Sequence, residues 1–203
     1  MSPLTPQITT RLDPAVPLLW RDGDTLQIGI EGPLRISAAE PWVKRLVARM
    51  AAGFYQPVPS TMVAVTGTNG KTSTVEMVRQ LWRVAGERAA SIGTLGVTTP
   101  DESVTTGLTT PDIVTFLSNL TGLAHEGVTH VAFEASSHGL SQYRSEGVPV
   151  AAGAFTNLSR DHLDYHADME DYFAAKMRLF AEMVVDGGAA VVWADDAWSS
   201  RAA

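Results

Sequence analysis

The sequence predicts an α/β protein, a three-layer α/β/α sandwich with a mostly parallel sheet, preceded by a small β-β-α segment. From Met62 onward, short apolar runs alternate with amphipathic stretches of helical length, which is the pattern of strands joined by crossover helices. Polar residues directly follow three predicted strands, at Gly67 to Thr72, Glu134 to Ser137 and Asn157 to His166. Ligands bind beyond the carboxyl ends of parallel strands, so we expect these three stretches to meet in one site.

The N-terminal quarter of the chain predicts the small β-β-α segment. A hairpin is expected to turn at Asp22-Gly23, which separates two apolar runs. The stretch "GPLRI" predicts a third short strand, and Ser37 is expected to cap a helix that ends near Gly53. The apolar residues expected to define the inner faces are Leu26, Ile28 and Ile30 in the hairpin, and Val43, Leu46, Val47 and Met50 in the helix.

A linker, "YQPVPS", divides the chain into a small atypical module at residues 1–57 and an α/β domain at residues 58–203. The predicted strands of the domain are "MVAV", "AASIGTLG", "THVAFEAS", "VPVAAGAFTNL" and "AAVVWA". Between them we expect helices at Thr72 to Ala85, after Thr110-Pro111-Asp112, and from Asp168 to about Val185. Their inward residues are predicted to be Val75, Val78, Leu81, Trp82 and Ala85, then Ile113, Leu117, Leu120 and Ala124, then Met169, Phe173 and Phe180.

The composition excludes several classes of function. A net charge of -7 argues against nucleic acid as the main partner, because phosphate backbones require clustered Lys and Arg. The absence of cysteine excludes disulfides and thiolate metal sites. Neither a signal peptide nor a membrane span is apparent, so the expected location is the cytoplasm. An acidic protein that binds an anionic substrate then needs local cations or a metal.

A glycine loop follows the first strand of the domain and opens its first helix. Gly67 and Gly70 can adopt positive φ and turn N–H groups toward a phosphate. Lys71 can reach terminal phosphates, and the Thr72 hydroxyl can ligate Mg²⁺. Val65 stands where the general phosphate-loop pattern has glycine. The alternative is an ordinary strand-to-helix turn with a chance Gly-Lys-Thr.

The second polar stretch, "FEASSHGL", contains a candidate metal ligand. Glu134 ends an apolar strand and could hold Mg²⁺ opposite the loop threonine; the alternative is a carboxylate that caps or pairs at a strand end. The hydroxyl, amide and guanidinium groups nearby suit a polyoxygenated anionic ligand, although a solvated loop has the same composition. These groups belong to Ser136, Ser137, Gln142 and Arg144.

The third stretch, "NLSRDHLDYH", contains two histidines. His162 and His166 are four residues apart and share a face if the segment is helical, with Asp161 and Asp164 as possible orienting groups. His162 is expected to contact a metal or phosphate, whereas a lone histidine elsewhere would more often be structural.

Lys176 lies three residues after Phe173 on the apolar stripe of its predicted helix. Burial would lower the pKa of its amine. A neutral amine is a nucleophile that can add CO₂ to form a carbamate, an anionic ligand for Mg²⁺. The alternative is an amine that reaches the surface along its flexible stem.

Five motifs, "VTGTNGKTST", "LTTPD", "EASSHGL", "TNLSRDHLDYH" and "YFAAKMRLF", occur in an order that resembles the central domain of the Mur ligases, most closely the MurE type (UDP-N-acetylmuramoyl-tripeptide synthetases). The similarity runs from about Phe54 to the C-terminus. That family has the Thr-Gly-Thr-Asn-Gly-Lys-Thr loop, with an apolar residue at the position of Val65.

The resemblance implies ATP, Mg²⁺ and a carbamylated lysine as cofactors, and ATP-dependent amide formation as the reaction. A diamino acid, meso-diaminopimelate or L-lysine, is added to UDP-N-acetylmuramoyl-L-Ala-D-Glu through an acyl phosphate. The implied catalytic residues are Lys71, Lys176 and His162. The implied ATP loop is Gly67, Thr68, Asn69, Gly70, Lys71 and Thr72; the metal ligands are Thr72, Glu134, His162 and the Lys176 carbamate; the substrate-binding residues are Thr109, Thr110, Ser136, Gln142 and Arg144.

Two departures from the family leave alternatives open. Residues 1–57 do not resemble its N-terminal domain, and the chain ends at Ala203, before the family's C-terminal domain. One alternative is a truncated or fused non-catalytic module that binds ATP and the muramoyl peptide, with residues 1–57 contacting an unknown protein partner. Another is a ligase like folylpolyglutamate synthase, although "EASSHGL" together with "SRDHLDYH" favours the muramoyl branch.

Overall fold

A computed structural model describes residues 18–21, 25–28, 34–37, 41–104, 109–195 and 197–202. The predicted hairpin turn at Asp22-Gly23, residue Ile30 and the side chains of Leu26 and Ile28 lie outside the described set. Over the part of the chain that is described, no helix has the length and apolarity needed to cross a membrane.

The main sheet of the described chain has seven strands, and its central strands are parallel. The strands in chain order are β4 (Thr61–Thr66), β5 (Ala89–Gly93), β6 (Gly96–Thr98), β7 (Ser103–Val104), β8 (His130–Glu134), β9 (Val150–Phe155) and β10 (Val184–Val192). Across the sheet the order is β10-β9-β4-β8-β5-β6-β7, and only β6 and β7 run antiparallel to their neighbours. The carboxyl ends of β4, β8 and β9 therefore lie side by side.

Helices cover both faces of this sheet, which confirms the predicted three layers. The helices are α1 (Pro41–Phe54), α2 (Lys71–Val84), α3 (Ile113–His125), α4 (Ser137–Ser141), α5 (Met169–Arg178), continued by a π-helical turn (Leu179–Met183), and α6 (Ser199–Ala202). On one face, α2 packs Val75 against Val65 and Ala132. On the other, α1, α3 and the π-helical turn share one core with the sheet, and α5 packs Phe173 against Phe155.

The N-terminal segment contains three antiparallel strands before its helix, β1 (Leu18–Arg21), β2 (Thr25–Ile28) and β3 (Leu34–Ser37). Ser37 ends β3 and does not cap α1, which begins at Pro41; proline suits the first helical position because it needs no N–H partner there. The buried side of α1 is rich in alanine, and Leu46 is exposed. Because α1 lies in the main core, the proposed boundary at residue 57 stays a prediction.

Helix α2 departs from its predicted inner face. Leu81 and Ala85 are exposed, whereas Arg79 is buried. The helix lies over β5 and β8. On the β5 side, Arg79 donates to Glu76 at 2.8 Å, and Glu76 accepts from the Ser91 hydroxyl. The Glu76–Arg79 ion pair therefore lies on the sheet-facing side of α2, where helical periodicity predicts apolar residues.

The predicted strand "AASIGTLG" is a hairpin. It turns at Thr94-Leu95 between β5 and β6, where Gly93 pairs with Gly96, and Gly96 has a φ of 97° that favours glycine. The last predicted helix ends with the π-helical turn at Met183, two residues before the predicted end, and β10 follows at once.

Candidate functional site

The three polar stretches meet at the carboxyl edge of the sheet, as the sequence predicts. The Thr68 N–H donates to the Asn157 carbonyl at 2.9 Å, and the Asn69 N–H donates to the Asn157 side-chain oxygen at 3.0 Å. The Thr156 hydroxyl donates to the Asn69 carbonyl at 2.7 Å. The end of β9 thus clamps the glycine loop that follows β4.

Two glycines of this loop are required for different reasons. Gly67 has a φ of 135°, and a Cβ there would collide with the Thr156 hydroxyl. Gly70 has a φ of 83° in the N-cap position of α2, with open space around it. The first N–H groups of a helix lack intrahelical acceptors and favour an anion, so the start of α2 suits phosphate.

Two lysines share the carbonyl oxygen of Gly67. Lys71 donates to it at 3.0 Å and to the Thr68 carbonyl at 2.8 Å; Lys176, from α5, donates to it at 2.8 Å. Lys176 is only 1% exposed, which confirms its predicted place in the apolar interior and contradicts the surface alternative. Burial, together with the charge of Lys71, lowers the pKa of Lys176 to about 7.

Lys71 is also affected by its surroundings. Burial lowers the pKa of Lys71, and the opposing carboxylates of Glu134 and Asp161 reduce that effect. Both amines thus hold the loop through the Gly67 carbonyl, one from the start of α2 and one from α5. A phosphate would replace the carbonyls as the partner of Lys71.

Glu134 is buried at the end of β8 and contacts the loop threonine. Its Oε1 accepts from the Thr72 hydroxyl at 2.9 Å and from the Thr94 N–H at 2.8 Å. A Cβ at Gly93 would overlap this carboxylate, so glycine makes the room for it. Carboxylate and hydroxyl oxygens are ligands that Mg²⁺ accepts, and Mg²⁺ usually adds water and substrate phosphates to one or two protein ligands. The Thr72–Glu134 pair fits such an ion.

The two histidines have different surroundings. His162 is 44% exposed, with its Nε2 3.6 Å from Asp161, and its ring lies 4.9 Å from that of His138. His166 is buried, and its Nδ1 lies 3.1 Å from Asp171. Asp161 thus accompanies His162 as expected. His166 instead pairs with Asp171 at the start of α5, and the expectation that Asp164 orients a histidine stays a prediction.

The expected metal ligands converge only in part. Thr72 and Glu134 touch, whereas the Lys176 amine bonds to Gly67. Across the described ranges, no set of three or more His, Asp or Glu side chains converges as a metal site. His162 and the Lys176 carbamate therefore stay predictions as metal ligands.

The expected substrate-binding residues surround α4. The Thr110 hydroxyl is buried and donates to the Glu134 carbonyl at 2.9 Å, and the Ser136 hydroxyl caps α4 through the Gly139 N–H. Arg144 donates to the Thr110 carbonyl at 2.9 Å and to Gln142. Thr109 faces Thr94 at 3.0 Å between the two hydroxyl oxygens.

Several residues at this edge escaped sequence-based reasoning. Tyr172 bonds Thr68 at 3.2 Å between their hydroxyl oxygens, and its ring lies 4.3 Å from the Lys176 amine. Its position one helical turn before Lys176 was a signal that could have identified it. His138 packs on Tyr165 at 4.0 Å, and burial lowers the pKa of His138. No sequence spacing links these two residues.

A groove of about 670 Å³ lies beside the glycine loop. It runs between the start of α2 and the ends of β9 and β10, and Asn69, Ala154, Asn157, Val191 and Trp193 are among its lining residues. A largely apolar wall with a few polar groups is typical of a small-molecule site.

Comparison with known proteins identifies the family. Residues 65–203, more than half of the chain, match the model of the Mur ligase middle domain. The chain belongs to the Mur ligase family. This match confirms the resemblance drawn from the five motifs, and the fold class with it.

Curated relatives of the Mur ligase family include UDP-N-acetylmuramoyl-L-alanyl-D-glutamate--2,6-diaminopimelate ligases. The one from Zymomonas mobilis is 58% identical over 170 residues, which cover 84% of this chain and 35% of the relative. The one from Agrobacterium fabrum is 57% identical over 159 residues, covering 78% and 32%. The chain thus spans about a third of the length of the curated relatives that it matches.

Solved structures agree with this assignment. A structure of a UDP-N-acetylmuramoyl-L-alanyl-D-glutamate--2,6-diaminopimelate ligase aligns with a TM-score of 0.71 and 35% identity, over 80% of this chain and 33% of that one. The folylpolyglutamate synthase of Mycobacterium tuberculosis, solved with ADP, aligns with a TM-score of 0.61 at 16% identity, over 80% and 43%. The second likeness concerns the fold alone.

Proposed function

We propose that the chain is the ATP-binding and acceptor-activating part of a Mur ligase that adds 2,6-diaminopimelate to UDP-N-acetylmuramoyl-L-Ala-D-Glu. The observation that carries this proposal is the meeting of a phosphate-type loop, a buried Glu134 and the Gln142–Arg144 loop at one edge of the sheet. The names of the relatives that are more than half identical supply the substrates. These relatives favour diaminopimelate over L-lysine, the other diamino acid expected from the sequence.

The reaction that fits has two steps. The D-glutamate carboxylate attacks the γ-phosphorus of ATP, the bond to the β-phosphate oxygen breaks, and an acyl phosphate and ADP form. The diaminopimelate amine then attacks the acyl carbon, the carbon–oxygen bond to phosphate breaks, and the amine loses a proton as the amide forms. Phosphoryl transfer of this kind depends on positioning and on charge stabilisation.

The residues of this chain supply those two contributions. The start of α2 and the Lys71 cation face the phosphates, with the clamp from Thr156 and Asn157 holding the loop in shape. Thr72 and Glu134 would hold Mg²⁺, which withdraws charge from the phosphoryl oxygens when bound. His162 and a carbamate on Lys176 complete the proposed set; the lowered pKa of Lys176 supports the carbamate because only a neutral amine adds CO₂.

Two further parts of the proposal concern context. Small-molecule substrates of this kind are made and used in the cytoplasm, where we place the protein. Residues 1–57 would contact either the rest of the ligase or a protein partner. A binding module without turnover, which would hold ATP and the acceptor without releasing phosphate, is the second candidate.

The test is phosphate release from ATP by the 203-residue chain, with and without UDP-N-acetylmuramoyl-L-Ala-D-Glu and diaminopimelate. Release that requires both substrates supports the ligase. Binding of ATP and acceptor without release supports the binding module instead, and binding of neither contradicts both candidates. Glu134→Gln, which keeps the size of the side chain, should abolish the Mg²⁺ dependence of nucleotide binding. A ¹³C-bicarbonate carbamate signal that is absent in Lys176→Ala tests the lysine separately.

A further inference from the structure

Three side chains at the acceptor side of the site form a hydrogen-bond relay with a fixed direction. Arg144 donates to the Gln142 side-chain oxygen from Nε at 3.0 Å and from Nη2 at 2.7 Å. A guanidinium can only donate, so the amide oxygen of Gln142 must face Arg144. The amide nitrogen of Gln142 then faces the Tyr165 hydroxyl, to which it donates at 3.2 Å.

The direction of this relay leaves the Tyr165 hydroxyl proton without a hydrogen-bond partner among the described residues. The Tyr165 oxygen accepts from Gln142, so its own O–H points elsewhere. Among the described residues no acceptor receives that proton. Tyr165 is 44% exposed, so its O–H can reach a bound ligand.

The Tyr165 ring is held in place although its hydroxyl is accessible. Its ring centroid lies 4.0 Å from that of His138 and 4.9 Å from that of His166. His166 is itself buried and anchored to Asp171 at 3.1 Å. A donor that is already oriented loses little conformational freedom when a ligand binds.

We propose that Tyr165 is a substrate-binding residue that donates its O–H to a carboxylate oxygen of the peptidyl acceptor. The relay begins at a guanidinium cation, and successive hydrogen bonds polarise one another in the same direction. The terminal O–H is therefore a stronger donor than an isolated phenol, which favours an anionic oxygen. This inference rests on the proposed function, because it assumes that the acceptor occupies the Gln142–Arg144 side.

The nucleotide is the less suitable ligand for Tyr165. The phosphate loop has a tyrosine of its own, Tyr172, whose hydroxyl bonds Thr68. Tyr165 instead bonds to Gln142, and through it to Arg144 and the Thr110 carbonyl. Both tyrosine rings lie close to His166, at 4.9 Å and 5.1 Å between ring centroids, but their hydroxyls bond to different parts of the site.

Tyr165→Phe is the test, since it removes the O–H and keeps the ring stacked on His138. Titration calorimetry of the 203-residue chain would measure the affinity for UDP-N-acetylmuramoyl-L-Ala-D-Glu and, separately, for a non-hydrolysable ATP analogue. We expect a roughly 5- to 20-fold loss of acceptor affinity, between the values for a neutral and a charge-assisted hydrogen bond because Tyr165 is partly exposed to water, with nucleotide affinity and the urea midpoint of unfolding unchanged. Tyr172→Phe is the matched variant, expected to weaken the nucleotide and spare the acceptor.

An acceptor analogue with the D-glutamate carboxylates converted to amides identifies the contact. If Tyr165 donates to a carboxylate, the loss from Tyr165→Phe shrinks with the amide analogue. An equal loss with both acceptors overturns the carboxylate assignment. Unchanged acceptor affinity in Tyr165→Phe, with the wild type binding normally, overturns the inference alone and leaves Tyr165 as a brace for Gln142. Failure of the wild-type chain to bind the acceptor overturns the proposed function, and the inference with it.

Discussion

The two sides of the candidate site are built by different means. The proposed phosphate side is a backbone structure, in which main-chain atoms of Thr68 and Asn69 bond to Thr156 and Asn157. The acceptor side is a side-chain structure, in which Arg144, Gln142 and Tyr165 bond to one another. The shape of the phosphate side therefore depends on glycines, which lack a Cβ. The direction of the hydrogen bonds on the acceptor side depends on Arg144, which can only donate.

Replacing Gly67, whose backbone conformation favours glycine, should cause the largest loss of nucleotide affinity and stability. Gly67→Ala places a Cβ against the Thr156 hydroxyl at a φ of 135°. We expect roughly a 100-fold loss of nucleotide affinity and about 2–4 kcal/mol of stability, from strain plus the lost clamp, measured by calorimetry and urea unfolding.

Gly70→Ala is the matched control, because its positive φ of 83° is accompanied by open space. It should cost only about 1–2 kcal/mol. Equal effects of the two variants would contradict the view that the clamp by β9 defines this side.

The next largest effect should be the pH dependence of stability that Lys176 causes. The folded state holds this amine with a pKa of about 7, below its ordinary value of 10.5, so unfolding takes up a proton between these two pH values. Stability therefore rises with pH in that window, by at most about 1.4 kcal/mol per pH unit. Lys176→Met, of similar volume, should lose that rise, so the difference between wild type and variant grows by about 2 kcal/mol from pH 7 to pH 9.

Unfolding in urea at each pH measures this difference. Lys71 contributes to both proteins and largely cancels in the comparison. Parallel pH profiles of wild type and Lys176→Met would show that Lys176 is charged in the folded state.

Reversing the direction of the hydrogen bond between residue 142 and Tyr165 should weaken only the binding of the peptidyl acceptor. Gln142→Glu supplies a carboxylate that accepts from both Arg144 and the Tyr165 O–H, so the proton of Tyr165 turns inward. We expect about a 10-fold loss of acceptor affinity, the loss of one hydrogen bond plus charge repulsion, and unchanged nucleotide affinity. Gln142→Met removes the relay without adding charge and should give a smaller loss. A matching loss of nucleotide affinity would show that the two sides are not separable.

The smallest effect is expected where the two sides meet. Asp171→Ala removes the acceptor of His166 Nδ1 and of the Ala167 N–H. We expect about 1 kcal/mol of lost stability, because Asp171 is half exposed and water can replace it, with small losses of affinity for both ligands. Asp171→Asn retains an acceptor oxygen and should be close to wild type in denaturant titration. A loss of affinity for only the nucleotide or only the peptidyl acceptor would show that His166 supports the binding of that ligand alone.

The sequence predicted the geometry of the glycine loop well because its signals are local. Glycines at Gly67 and Gly70, a strand before and a helix after are visible within about a dozen residues, and Lys176 was indicated by the stripe that it shares with Phe173. The acceptor side was predicted only as a set of residue types. Tyr165 joins Gln142 across 23 positions, and His166 joins Asp171 because a loop folds back, so neither pairing has a periodic signal.

The errors in the elements have a similar cause. The amphipathic pattern of α2 placed Leu81 and Ala85 inward, but tertiary packing placed the Glu76–Arg79–Ser91 network against β5. In the N-terminal segment, Ser37 was a plausible cap by residue type, whereas α1 begins at Pro41. Local preference identifies which residues can start a helix, and neighbouring elements decide which one does.

The buried amine of Lys176 can report on motion of the glycine loop through its chemical reactivity. An amine with a pKa of about 7 is about half uncharged at pH 7 and reacts readily with acylating reagents, yet at 1% exposure it is out of their reach. Acylation must then wait until Gly67 releases the amine and the loop moves away. The rate at which mass spectrometry detects acyl-Lys176 would therefore time the opening of the glycine loop, without any attached probe.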